Sequence, residues 1–147
     1  MTVVLVHHAD AVGADIDPQR PLSTLGLAQA EQMAARARDA AVKPAIIWHS
    51  GKLRARQTAE AFLRLCHPFA DFKMVRGLRP EDPPAIARAA IDLEDRDLLL
   101  VSHMPILPAL ARMLTPGADE FPLNGLIVLE RDSNGGYVER WRAAPDI

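Results

Sequence analysis

Three short runs, Val3-Val4-Leu5-Val6, Ala45-Ile46-Ile47-Trp48 and Leu98-Leu99-Leu100-Val101, are apolar throughout, with no polar residue at alternate positions. A strand with one wet face alternates. A strand apolar along its length is covered on both faces, the condition of a parallel sheet held between two layers of helix. Long connections separate the runs, as parallel pairing requires. Each run is also followed by histidine: His7 and His8, His49, and His103 after Ser102. Open α/β sheets gather ligands beyond the carboxyl ends of their strands, so the first and third runs deliver two imidazoles to one crevice, and Lys52 and Arg54 after the second bring positive charge to the same edge.

Between the runs the apolar period becomes that of a helix. Ser23 or Thr24 is placed to cap a helix reaching about Ala41, with Leu27, Ala30, Ala34, Ala37 and Ala41 as its apolar stripe and Gln29, Gln32, Arg36 and Asp39 on another face. A second helix is predicted from about Lys52 to Cys66, where Ala55, Ala59, Phe62, Leu63 and Cys66 have helical spacing. Phe72 to Val75 reads as a short strand, the proline-rich Arg76 to Pro84 as irregular, and Ala85 to Leu93 as a helix. Pro105 suits the first turn of a further helix that ends near Thr115-Pro116-Gly117. Leu126 to Arg131 and Tyr137 to Trp141 flank Asp132-Ser133-Asn134-Gly135-Gly136, a hairpin signal. The expected architecture is α/β: a three-layer α/β/α sandwich whose mainly parallel sheet carries an antiparallel C-terminal edge hairpin, in a single domain spanning 1–147.

A chain of 147 residues buries roughly 70% of its unfolded surface without staples, and the lone Cys66 excludes an intramolecular disulfide framework. The formal net charge of -2 argues against nucleic acid and anionic membranes as partners. The apolar run from Val3 to Val6 is too short for a signal peptide or a membrane span, so a cytoplasmic protein is expected. No glycine-rich loop of the P-loop or dinucleotide type follows the first run. Met33, Met74 and Met113 read as core residues.

His8 and His103 lead the candidates for chemistry. One imidazole can attack phosphorus while nearby donors neutralise the equatorial oxygens. Arg54, two residues into a predicted helix, can clamp the same anion together with free N–H groups of the first turn. Taken singly, either histidine is equally well explained as a strand-end residue with satisfied hydrogen bonds. Ser102 next to His103 is no hydrolase dyad, because adjacent strand residues point to opposite faces. His7, His8, His49 and His103 with Asp10 form a conceivable metal site, although no ligand-spacing motif supports it.

Four segments match a known pattern in order: Leu5-Val6-His7-His8-Ala9-Asp10-Ala11, Arg20-Pro21-Leu22-Ser23-Thr24-Leu25-Gly26, Ser50-Gly51-Lys52-Leu53-Arg54-Ala55-Arg56-Gln57-Thr58, and Val101-Ser102-His103-Met104-Pro105. With them the chain resembles the histidine phosphatase superfamily, whose fold is that of phosphoglycerate mutase. Within it, the resemblance is to the small bacterial phosphohistidine phosphatases of the SixA type. This resemblance implies that His8 is the phosphorylated nucleophile and that Arg54 and His103 bind the phosphoryl group. It implies that Ser50 supports the phosphate pocket and that Arg20 either contacts substrate or braces its loop. No cofactor and no metal are implied. The implied partner is a phosphorylated protein of the histidine phosphotransfer type or a small phosphorylated substrate.

The departures from that pattern bear on activity. His7 stands in place of the first arginine of the family signature, and a neutral imidazole offers one N–H against a charged fork of five. Loss of one preorganised donor costs on the order of 10²–10³ in rate. Beside a phosphate dianion, protonation of His7 would recover part of that charge. Lys52, at a helix start, is a candidate replacement cation, whereas Arg56 reads as part of a solvated face. Ala9 in place of glycine forgoes positive φ, so a rearranged backbone after His8 is expected. Where many members carry a glutamate general acid after the third strand, this chain has Gly77, with Glu81 and Asp82 nearby. A phosphohistidine departs as an imidazole, far less basic than an alkoxide, and needs less protonation. The absent acid therefore fits a phosphoramidate substrate. It fits equally a catalytically weak relative that binds phosphorylated proteins or small phosphates as a regulator.

Overall fold

The computed structural model describes residues 1–118 and 120–147. Along the chain run β1 (Thr2–His7), α1 (Thr24–Asp39), β2 (Ile46–His49), α2 (Leu53–Cys66), β3 (Asp71–Met74), α3 (Pro84–Leu93), β4 (Leu98–Ser102), α4 (Ile106–Leu114), β5 (Leu126–Arg131) and β6 (Tyr137–Ala143). They form one six-stranded sheet in the order β3-β2-β4-β1-β5-β6. The first four in that order are mutually parallel, and β5 and β6 pair antiparallel at one edge. The α/β sandwich expected from the apolar runs is the fold observed.

The two faces of the sheet bury separate cores. Val4, Val6, Ile47, Leu99 and Val101 point toward α1 and α2, where Ala30, Met33, Ala34, Ala37, Ala59 and Phe62 cover them. Val3, Leu5, Ile46, Leu98 and Leu100 point toward α3 and α4, against Ile91, Leu107, Leu110 and Leu114. Each buried valine, leucine, isoleucine, methionine or phenylalanine here contributes about 1.5–3 kcal/mol by leaving water. The strands carrying histidine are therefore the most enclosed part of the molecule, and their ends are rigidly placed. The hairpin closes as its sequence predicts, with Asp132 Oδ1 accepting from the N–H groups of Asn134 (2.8 Å) and Gly136 (2.9 Å).

Several local expectations change. The buried face of α1 is Gly26, Gln29, Ala30, Met33, Ala34 and Ala37, whereas Leu27 is 56% exposed and Ala41 is exposed beyond the helix end. The stripe is rotated because Gly26, Ala30, Met33 and Ala37 share the sheet-facing row, and Leu27 lies one step off it. Gln29 is inside because its Oε1 accepts the Asp10 N–H at 2.9 Å. Ser23 is the N-cap, accepting from Gly26 N at 3.0 Å. Of the three methionines, Met33 is core, Met113 is half-buried, and Met74 is 56% exposed on β3, the strand at the open edge of the sheet. Pro105 precedes α4, after a cis Met104–Pro105 bond, rather than opening its first turn. Among the described residues no helix is long and apolar enough to cross a membrane.

Candidate active site

Parallel register brings the histidines together. His7 of β1 lies opposite Ser102 of β4, so His8 and His103 leave neighbouring strands side by side. Their ring centroids are 5.0 Å apart, and those of His7 and His8 are 4.5 Å apart. Ser102 faces away and donates its hydroxyl to the Leu78 carbonyl at 2.6 Å, as strand alternation requires.

The hydrogen bonds fix what each ring can do. His8 Nδ1 lies 2.7 Å from the Ala9 carbonyl, an acceptor only, so the proton is on Nδ1 and the lone pair on Nε2. Burial, with the Arg54 and Arg20 charges, lowers the His8 pKa to about 4 against the opposing pull of the Ala9 bond and Asp10. His7 is arranged the opposite way: its Nδ1 accepts the Asn124 backbone N–H at 2.8 Å, which places its proton on Nε2. Burial first, then His8 and Arg54, hold the His7 pKa down to about 3. Without a bound anion His7 is therefore a neutral ring. Nδ1 is already occupied by a donor, and the neighbouring cation opposes a second charge.

His103 is almost wholly buried, and its Nε2 lies 2.6 Å from Ser50 Oγ. Ser50 Oγ also receives the Lys52 N–H at 3.3 Å, so we assign the Ser50 hydroxyl as donor to Nε2, leaving the ring proton on Nδ1. Burial, followed by His8, Arg54, His7 and Lys52, lowers the His103 pKa to about 2. All three imidazoles are neutral near pH 7. Arg54, in the first turn of α2, supplies the fixed charge, and burial and Arg20 act to lower its pKa. Four enclosed side-chain polar atoms among the described residues lack a partner, and two are His103 Nδ1 and Arg54 Nε. An unsatisfied buried donor costs about 1–3 kcal/mol, so both are strained toward an acceptor.

The remaining predicted residues fall into different places. Arg20, at φ 49, donates Nε to the Val12 carbonyl at 3.0 Å and so braces its loop, while its charge still acts on His8 and Arg54. Lys52 is exposed before α2, close enough for its charge to bear on His103. Ala9 does not adopt positive φ, as expected of a residue that carries a Cβ. Its N–H donates to Thr58 Oγ1 at 3.0 Å, and Thr58 donates in turn to the Arg54 carbonyl at 2.8 Å, so α2 clamps this backbone in a conformation any residue accepts. Any side chain at Gly77 would be strained: φ is 95, and a Cβ there would lie 2.7 Å from Ile86 Cγ2, forcing that side chain to shift. Asp82 Oδ2 is bound to the Arg79 N–H at 2.9 Å, and Glu81 is exposed. His49 is drawn away from the other rings, accepting the Gly51 N–H at 3.0 Å and packing on Phe72. Among the described residues no three metal-ligating side chains converge.

Sequence reasoning missed Asn124. Besides its bond to His7, its Nδ2 donates to the His8 carbonyl at 2.8 Å, so one residue holds both histidines. The Asn124-Gly125 dipeptide before β5 was the available signal, since asparagine tolerates the left-handed region it occupies here at φ 55. Gln57, which accepts the Leu22 N–H at 2.7 Å, was present in a recognised motif without a role.

Residues 5–79 match the family profile of the histidine phosphatase superfamily (branch 1). The chain belongs to this superfamily. No curated protein matches it in sequence. Among solved structures, the protein histidine phosphatase SixA complexed with tungstate is similar at a TM-score of 0.89 and 25% identity, over 99% of this chain and 97% of that one. A protein named as the phosphohistidine phosphatase SixA of Agrobacterium tumefaciens is similar at 0.83 and 27%, over 98% and 97%. A phosphoglycerate mutase of Plasmodium falciparum shares the fold at 0.71 and 20%, over 95% and 88%. Within this superfamily fold, the matched stretch carries His7, His8, Arg20, Ser50 and Arg54, while His103 and Asn124 come from beyond it.

Proposed function

We propose that the protein is a phosphatase acting on phosphohistidine, with His8 as nucleophile. The observation that carries this reading is the His8 tautomer, which leaves an Nε2 lone pair free beside two enclosed donors without acceptors. His8 Nε2 attacks phosphorus as the bond from phosphorus to the departing imidazole nitrogen breaks. The electron pair leaves with that nitrogen, which takes a proton from water. Arg54, His103 Nδ1–H and His7 Nε2–H face the equatorial oxygens, with Ser50 fixing the His103 ring. Water then attacks phospho-His8, releasing inorganic phosphate and restoring the free imidazole. The likeness to an oxyanion-bound histidine phosphatase supports the same assignment. A protein-borne phosphohistidine fits because no carboxylic acid stands at Gly77 to protonate an alkoxide.

The test is turnover of a phosphohistidine peptide and of an aryl phosphate, with acid-quenched trapping of the phosphoenzyme. Hydrolysis of the phosphopeptide, an acid-labile phosphoenzyme, and loss of about 10³-fold or more in His8→Ala are expected. Phosphate-dependent binding without turnover anywhere from about pH 5 to 8, a window spanning the ordinary imidazole pKa, would overturn the proposal in favour of a regulator.

A further inference from the structure

Beyond Ser50, whose hydroxyl is bound to His103, the site opens into a groove of about 460 Å³. It is lined by the end of β3, the segment after it and the start of α3, including Met74, Gly77, Ile86, Arg76 and Arg79. The apolar part is uncovered: Met74 is 56% and Ile86 50% exposed. Gly77 leaves the floor bare because Ile86 fills the space of any side chain there.

The arginines of this groove differ from those that brace the fold. Arg64, Arg88, Arg96, Arg131 and Arg142 are all tied by their guanidinium groups to carboxylates or carbonyls. Arg76 and Arg79 are exposed, and neither guanidinium makes an ion pair or hydrogen bond among the described residues. The carboxylate in the groove, Asp82, is turned to the Arg79 backbone N–H instead. Two unpaired cations thus stand beside exposed aliphatic surface in a groove that reaches the site at Ser50.

We propose that this groove docks an acidic segment flanking the phosphorylated histidine of a partner protein, with Arg76 and Arg79 selecting it. The proposal rests on the phosphohistidine reading of the same site. A small phosphorylated compound seated at His8 would leave Met74 and Ile86 uncovered, whereas a peptide segment covers them while its carboxylates reach the rim. Local charge of this kind orients a partner that the overall charge of -2 would otherwise repel.

The test compares two synthetic phosphohistidine peptides of equal length, one flanked by Asp and Glu and the other by Asn and Gln, with N-phosphoimidazole as a small substrate. For the wild-type protein, kcat/KM for the acidic peptide is expected to exceed that for the neutral one about tenfold at low salt, mostly through KM, and to converge as salt rises. In the Arg76→Glu/Arg79→Glu double variant the preference should invert, with kcat on N-phosphoimidazole within about twofold of wild type, since exposed rim charges act on encounter and binding rather than chemistry. Equal kcat/KM for the two peptides in the wild type, or an unchanged preference in the variant, would overturn the docking proposal while leaving the phosphohistidine reading intact. Failure to hydrolyse either peptide or N-phosphoimidazole would overturn that reading, and the docking proposal with it.

Discussion

At position 7 an imidazole stands where the superfamily pattern has an arginine, and its hydrogen bonds determine what it can contribute. Because Nδ1 accepts the Asn124 N–H, the nitrogen left to donate, and proposed above to meet substrate, is a neutral Nε2–H. A neutral donor has a neutral substitute. His7→Gln, which keeps an N–H at similar reach, should retain kcat/KM within about tenfold, whereas His7→Ala should lose on the order of 10²–10³. Steady-state kinetics on a phosphohistidine peptide decides this, and equal losses in both variants would mean that His7 works as a cation. His7→Arg sets a donor against the buried Asn124 N–H and should cost about 1–3 kcal/mol of stability, with no activity above wild type. Long-range ¹H–¹⁵N correlation of the imidazoles offers a direct check, with protonation expected on Nε2 of His7 and Nδ1 of His8.

The elements hold these rings through a few close approaches, and α1 makes the tightest. A Cβ at Gly26 would lie 1.9 Å from the Asp10 carbonyl, in the loop that follows His8. In an exposed helix, glycine to alanine stabilises by about 1 kcal/mol. Here Gly26→Ala must displace either α1 or that loop, so denaturant unfolding should show a loss of about 1–3 kcal/mol, and activity should fall with it. A gain in stability would mean that the loop yields freely. The same contact shows where sequence reading succeeds and where it stops. Uninterrupted apolar runs gave the layer order, because burial on both faces leaves no other pattern, and the first and third runs ended at the histidines observed side by side, whereas His49 after the second turns aside to Phe72. The α1 stripe was misread because small alanines and a glycine mark the packed row less visibly than Leu27 does. Asn124 escaped notice for a different reason. It reaches His7 and His8 across more than a hundred residues, chiefly through a backbone N–H, a group no side-chain pattern reveals.

Across the whole molecule, the site is built at the expense of acid stability. The folded-state pKa values of His7, His8 and His103 lie at about 3, 4 and 2, against 6.5 for an unconstrained imidazole. Below pH 6.5 the unfolded chain therefore takes up protons that the folded chain refuses, so the stabilising contribution is complete above that value and declines as pH falls toward the folded values. His49 is lowered as well and acts in the same direction. Carboxylates such as Glu94, held near 2 by Arg96, belong to another window, because their unfolded partners begin to protonate only near 4.5. Between these limits the loss belongs chiefly to the imidazoles, at up to about 1.4 kcal/mol per pH unit for each group protonated in the unfolded state alone. Denaturant midpoints measured from pH 6.5 down to 4.5 should fall steadily, while the midpoint between pH 7 and 8, below the unfolded thiol's range, stays level. The slope should flatten in His8→Ala and again in His8→Ala/His103→Ala, because each substitution removes a group that the unfolded state alone protonates. A slope unchanged by both would mean that these rings protonate in the folded protein too, and with that the neutral donor and nucleophile roles assigned to them would fail.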